Sequence, residues 1–167
     1  MDNAQLINQD SGDFEYYTPP EIIEAAREVM GSIDLDPASS HRADKIVQAD
    51  RYFTIEEDGL KQSWEGNIWM NHPFQRGRNH LWINKLVEEY NDGNINQACC
   101  ITYAATSEKW FSPLLAFPQC FLIPRTNYFL PDGSLKRGVT KGSVVTYLGV
   151  SVKQFKEIFS NYGVVKI

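Results

Sequence analysis

Apolar residues in this 167-residue chain recur with two different periods. Where they fall three or four apart, at Ile22, Ile23, Ala26 and Met30, at Leu81, Ile83, Leu86, Val87 and Tyr90, and again over 152–159, the spacing predicts helices. Where they run together or alternate, at 33–36, 67–70, 97–103, 120–123, 144–148 and 164–167, the pattern predicts strands. A weaker strand is expected within 46–53 and a further helix over 107–116. Thr18-Pro19-Pro20-Glu21 reads as a helix start: Thr18 can cap, the prolines suit a first turn, and Glu21 can complete a capping box, with Gly31 as the stop. Glu56-Glu57-Asp58-Gly59 and Asn91-Asp92-Gly93 are turns, and Pro131-Asp132-Gly133 marks a loop-rich hairpin. Strands alternating with helices indicate an α/β sheet, mostly parallel, with an antiparallel edge contributed by the late hairpin. In such sheets ligands sit outside the carboxyl ends of the strands, so Asp36 and Asn71, each leaving a strand, are expected along one crevice.

Length fits one domain, expected over 14–167. The polar, acidic segment 1–13 is expected to be flexible and resembles neither a signal nor a transit peptide. No apolar stretch approaches the roughly 18 residues of a membrane span, and a cytoplasmic protein is expected. Hydrophobic content of 43% and aromatic content of 13% exclude a disordered chain. Cys99, Cys100 and Cys120 have neither a disulfide nor a metal-ligand spacing and are expected as buried thiols. His41, His72 and His80 are scattered, so no metal is expected.

The net charge of -5 is unevenly distributed. Through Glu65 there are 15 acidic and 5 basic residues; from Gly66 onward there are 6 and 11. The second part can therefore face phosphate. Lys153, Lys156 and Lys166 solvate a terminal helix and strand, which leaves Arg76, Arg78, Arg125, Lys136, Arg137 and Lys141 as the candidate cations for a polyanion.

The chemistry concentrates in Asn71-His72-Pro73-Phe74, directly after the apolar run Ile68-Trp69-Met70. An exocyclic amine on a nucleobase is a poor nucleophile because its lone pair is delocalised into the ring. Two hydrogen-bond acceptors on its N–H groups pull it toward tetrahedral geometry, and the Asn71 side-chain oxygen and the His72 backbone carbonyl can supply them. Pro73 fixes its own φ and biases His72 toward an extended conformation, which aims that carbonyl. Phe74 offers a face for a base, and such stacking contributes ~1 to 3 kcal/mol, offsetting part of the cost of extruding the base from a duplex. The plain alternative is a strand-end turn with a core aromatic.

Tyr17-Thr18-Pro19-Pro20-Glu21, Asp34-Leu35-Asp36-Pro37-Ala38-Ser39, Asp58-Gly59-Leu60, Trp69-Met70-Asn71-His72-Pro73-Phe74 and Trp110-Phe111, in this order, resemble the phage-type DNA N6-adenine methyltransferase (Dam) family. The likeness spans nearly the whole chain. It implies a single-domain Rossmann-like fold, S-adenosylmethionine as cofactor, double-stranded DNA as partner, and direct in-line methyl transfer to the N6 of a flipped adenine. By the same likeness Tyr17, Thr18 and Pro19 contact the amino-acid end of the cofactor. Asp34, Asp36, Pro37, Ala38 and Ser39 lie beside it, and Asp58 and Leu60 hold its adenine. Asn71, His72, Pro73 and Phe74 form the catalytic turn.

The sequence departs from the family in two places. Asp36-Pro37-Ala38-Ser39-Ser40-His41 lacks the usual glycine-rich turn, and the usual N-P-P-Y is N-H-P-F. His72 retains the backbone carbonyl and adds an imidazole able to change charge near neutral pH. There is little room for a separate recognition domain, so loops around 75–80 and 125–141 would read the target. A short site, weak discrimination or a homodimer follows. Trp110 and Phe111 either line a base pocket or belong to the core. N4-cytosine methylation and a non-catalytic relative that binds DNA or S-adenosylmethionine remain open at this stage.

Overall fold

The computed structural model describes residues 17–130, 132–135 and 141–167. It is organised around one seven-stranded sheet in the order β2-β1-β3-β4-β6-β5-β7. The strands are β1 (Leu35–Asp36), β2 (Arg51–Tyr52), β3 (Gly66–Met70), β4 (Ile95–Tyr103), β5 (Gln119–Leu122), β6 (Ser143–Leu148) and β7 (Gly163–Lys166). The helices are α1 (Pro20–Met30), α2 (His41–Val47), α3 (Asn79–Asn91) and α4 (Val152–Phe159), with 3-10 turns at Gly59–Lys61 and Ser112–Ala116. β2, β1, β3 and β4 run parallel. β6 reverses against β4, and β5 and β7 continue antiparallel. The result is a Rossmann-like mixed sheet.

Strand pleating explains why the central strands read as continuous apolar runs. Successive side chains point to opposite faces, and here both faces are covered. Trp69, Cys99, Ile101, Val145 and Tyr147 pack on one face with Ile23, Ala26, Phe155 and Phe159 from α1 and α4. Ile68, Met70, Ala98, Cys100, Val144 and Leu148 pack on the other with Ile83 and Leu86 of α3 and with Phe111 and Leu114. The three cysteines are free and buried. Burial pushes all three thiols up, Cys120 to about 11. No helix among the described residues is long and apolar enough to cross a membrane.

Several local expectations are corrected. Thr18 does not cap α1. Pro19 holds the cap position with no side-chain cap bond, so the capping box is not formed. The Gly31 stop is present, with φ of 85° and its N–H bonded to the Arg27 carbonyl. The region 46–53 holds the end of α2 and only a two-residue strand. α2 is capped by Ser40, whose hydroxyl accepts from the Ala43 N–H at 3.1 Å. The helix expected over 107–116 is two turns and a 3-10 segment, because Pro113 sits where an α-helix would need a donor. The antiparallel edge is present as expected: the consecutive strands β5 and β6 pair antiparallel, and β7 extends the edge beyond β5. At the hairpin itself, Leu130 donates to Ser134 and an isolated bridge joins Phe129 to Leu135. Pro131 and the segment 1–13 lie outside the described residues.

Candidate active site

The chain steps from β1 outward to β2, then returns across β1 to begin β3, so neighbouring strands β1 and β3 lead into loops that diverge. Divergence of this kind opens a crevice at the carboxyl ends of the strands. A cavity of about 400 Å³ lies there, within the range of small-molecule and cofactor sites. The two segments leaving these strands, Asp36-Pro37-Ala38-Ser39 and Asn71-His72-Pro73-Phe74, both line it, together with Tyr17, Thr18, Asp58, Leu60 and Arg78.

The loop after β1 is shaped by its own polar groups. Asp36 is 3% exposed, and its Oδ1 accepts the Ala38 N–H at 3.2 Å. Burial pushes its carboxyl up to about 7; the bonds from Ala38 and Ser39 pull the other way, and Asp44 adds a small upward push. A carboxyl in this state takes its charge readily when a cation or a second donor arrives. The glycine missing from this loop is supplied by the facing one. A Cβ placed on Gly59 would lie 1.9 Å from the Pro37 carbonyl oxygen, so the two backbones touch only because position 59 has no side chain. Asp58 just before it adopts φ of 55°, sparsely populated for a residue with a side chain, and its carboxylate accepts the Leu60 N–H at 3.2 Å. The Gly59 carbonyl is fixed in turn by the buried Trp64 Nε1–H at 2.8 Å.

Thr18 is withdrawn from capping because its hydroxyl faces Asn71. Asn71 Nδ2 donates to Thr18 Oγ1 at 3.2 Å, which sets the orientation of the amide. Tyr17 is brought to the cavity by paired backbone bonds with Phe129, at 2.8 and 2.9 Å. His72 is 6% exposed, and its Nε2 lies 3.1 Å from Asn79 Oδ1. That oxygen also receives the Gln75 N–H at 3.1 Å, so His72 Nε2 must carry the proton and donate. Nδ1 is then a bare acceptor, and it meets no donor among the described residues. Burial lowers the imidazole pKa to about 4, against a smaller upward pull from Asn79. The expectation that His72 changes charge near neutral pH is therefore corrected: the ring is neutral there.

Phe74 stands edge-on to Tyr103 at 5.4 Å and to Trp110 at 6.0 Å, and Trp110 also meets the His72 ring at 5.9 Å. Trp110 thus backs the turn without lining the cavity, and Phe111 is fully buried core. Lys141 is exposed and holds its ammonium 5.4 Å from the centroids of both Phe74 and Tyr103.

Pro19, Asp34, Arg76, Arg125 and Lys141 are not part of the lining. Asp34 faces the body of the sheet: one oxygen accepts the Ser32 hydroxyl at 2.7 Å and the other the Asn67 N–H at 2.8 Å. Arg76 and Arg78 are exposed beside the turn 71–74, and Arg125 is exposed on the loop after β5. Lys136 and Arg137 lie outside the described residues. Sequence reasoning missed Phe53, Ile55, Tyr103 and Tyr128 in the lining. The signal for two of them was available, because Phe53 follows β2 and Tyr103 ends β4, the carboxyl ends of the remaining parallel strands.

The family profile described as DNA N-6-adenine-methyltransferase (Dam) matches residues 6–145. None of the curated proteins matches.

Proposed function

The chain belongs to the DNA N-6-adenine-methyltransferase (Dam) family, and from that membership we propose that the cavity at the ends of β1 and β3 binds the methyl donor and an adenine extruded from DNA. The family makes the protein a DNA N6-adenine methyltransferase with S-adenosylmethionine as donor. One observation carries the assignment of the site: the segment 36–39 and the turn 71–74, far apart in the chain, line one cavity at the point where the strand order reverses.

The residues fit the donor. Asp36 presents a buried carboxyl able to pair with an ammonium group or accept from ribose hydroxyls, and Thr18 adds a hydroxyl beside the start of α1. Asp58 and the aliphatic Leu60 suit an adenine ring's amino group and face. Bound S-adenosylmethionine supplies an electrophilic methyl on a cationic sulfur.

The protein's own contribution is to hold the acceptor amine. Asn71, its amide oriented by Thr18, and the His72 carbonyl accept the two N–H groups of the adenine amine and direct its lone pair toward the methyl carbon. Phe74, braced by Tyr103 and Trp110, gives the base a stacking face. Transfer is in line, and the amine sheds its proton afterwards, so no residue need act as a general base. His72 is suited to this passive role, being buried, neutral and held by Asn79. Positioning alone can account for ~7 to 11 kcal/mol of barrier lowering. Arg76, Arg78, Arg125, Lys136, Arg137 and Lys141 are the cations proposed to meet phosphates or base edges.

The test is incubation of the protein with methyl-labelled S-adenosylmethionine and unmethylated duplex DNA, followed by digestion to nucleosides. Label in N6-methyladenine is the expected result. Label confined to N4-methylcytosine, or none in any base, overturns the assignment.

A further inference from the structure

The turn 71–74 lies between the end of β3 and the start of α3 and has no ladder of its own. Pro73 within it is exposed, and Asn71 and Phe74 are half-buried. Thr18 orients the Asn71 amide, but if the His72 carbonyl is to keep one direction, a group outside the turn must hold it. One side chain holds both the turn, at His72, and the residue that follows it, Gln75. Asn79 Oδ1 accepts the His72 Nε2–H and the Gln75 backbone N–H, each at 3.1 Å. The Asn79 backbone N–H donates back to the Gln75 carbonyl at 3.2 Å. Asn79 is 3% exposed and is the first residue of the 13-residue helix α3, so its position is set by the packing of Trp82, Ile83 and Leu86 beneath it.

We propose that Asn79 is a positioning residue of this site, orienting the turn around Pro73 and Phe74 through the His72 ring, whose Nε2–H its side-chain oxygen accepts. The proposal deepens the functional reading above and rests on it for its kinetic part. The His72 ring has a single polar anchor, since Nδ1 meets no donor among the described residues. The ring also meets Trp110 edge-on at 5.9 Å, a contact that fixes distance but not which nitrogen faces which way. Asn79 therefore decides the tautomer and the ring orientation, and through the ring the backbone at position 72. A proline at 72 would fix φ there without any side-chain bond, and this provides a way to bypass the clamp.

Two measurements test it. The first is the ¹⁵N signature of the His72 imidazole, read on the wild-type chain without turnover. A single tautomer protonated at Nε2 is expected, collapsing to a mixture in Asn79→Ala. A wild-type ring protonated at Nδ1, or an unchanged signature in the variant, overturns the clamp. The second is kinetic. Asn79→Ala is expected to lower kcat ~10- to 100-fold, the scale of a small misplacement of reacting groups, with the KM for S-adenosylmethionine moved less than about 2-fold. Made in a His72→Pro background, the same change is expected to lower kcat by less than about 3-fold. An equal fall in both backgrounds shows that Asn79 acts by some route other than His72 and overturns the proposal. A wild-type chain that methylates no adenine removes the functional reading alone, because the imidazole signature still decides the clamp. That signature also decides it if Asn79→Ala does not fold.

Discussion

On the antiparallel side of the sheet, buried polar groups are matched inside the fold. Gln119 Nε2 donates to Thr146 at 3.0 Å, the Tyr128 and Ser143 hydroxyls share a bond of 2.6 Å, and the Tyr147 hydroxyl donates to Gln97 at 2.7 Å while accepting the Ser151 N–H at 3.0 Å. At the carboxyl ends of the parallel strands, comparable burial leaves polar groups in an unfavourable state. Asp36 is held near neutrality by burial, His72 is kept uncharged, and its Nδ1 lacks a donor. Polar burial that the fold satisfies holds the architecture together; at the proposed site burial instead holds a carboxyl and an imidazole away from their charged forms.

The sharpest way to break this contrast is a pair of substitutions, one on each side. Asn71→Ala is expected to lower single-turnover methyl transfer by ~10³-fold, because the positioned acceptor is lost. Its thermal unfolding and calorimetric affinity for S-adenosylmethionine should stay close to wild type. Near-normal transfer would remove Asn71 from the site. Phe155→Ala should do the reverse. Phe155 is fully buried between Tyr147 at 5.2 Å and Phe159 at 4.8 Å, so its loss is expected to cost about 3 to 5 kcal/mol in denaturant unfolding. Turnover per folded molecule should be unchanged, and a large fall in it would show that the two sides are coupled.

The titrating pair sharpens the contrast further. The Asp36 pKa is raised from 3.8 to about 7, so between those values the folded chain keeps a proton that the unfolded chain releases. Its contribution to stability is full below 3.8 and is lost as pH rises to 7. The His72 pKa is lowered from 6.5 to about 4, so its contribution is full above 6.5 and is lost as pH falls to 4. The two slopes oppose each other across nearly one window. Relative to wild type, Asp36→Asn should add stability loss toward acid, by about 4 kcal/mol at full extent, and His72→Gln should add stability loss toward neutral pH, by about 3 kcal/mol. Parallel pH profiles for wild type and both variants would show that neither group is perturbed.

The smallest effect is expected at Lys141. Lys141→Gln should raise the KM for DNA about 2- to 4-fold and lower the salt dependence of binding by about one phosphate contact. A salt slope identical to that of the wild type would exclude Lys141 from phosphate binding.

The fold was legible where periodicity was strong. Ile68, Met70, Cys100 and Val144 alternate with Trp69, Cys99, Ile101 and Val145 because both sheet faces are covered, and that gives runs no helix or edge strand would show. α2 was not legible from periodicity because only Val47 of its seven residues is buried; the Ser40 cap was its one local mark. Thr18 misled because a hydroxyl before Pro-Pro-Glu suits a cap, yet its partner is Asn71, 53 positions away. The turn 71–74 was read from its own side chains, whereas Tyr103 and Tyr128 reach the cavity only through sheet pairing and the path of the chain after β5. The Asn79 clamp depends on a seven-residue separation and on burial, which spacing alone does not reveal.

The backbone contact between Gly59 and Pro37 also bears on how a small molecule gets in and how the sequence can drift. The loops after β1 and β2 meet backbone to backbone at Pro37 and Gly59, so a small molecule cannot pass between them at that point, whereas Ile55 borders the cavity and is 88% exposed. A side chain acquired at 59 would have to displace the Pro37 carbonyl, so position 59 is confined to glycine unless the loop after β1 moves with it.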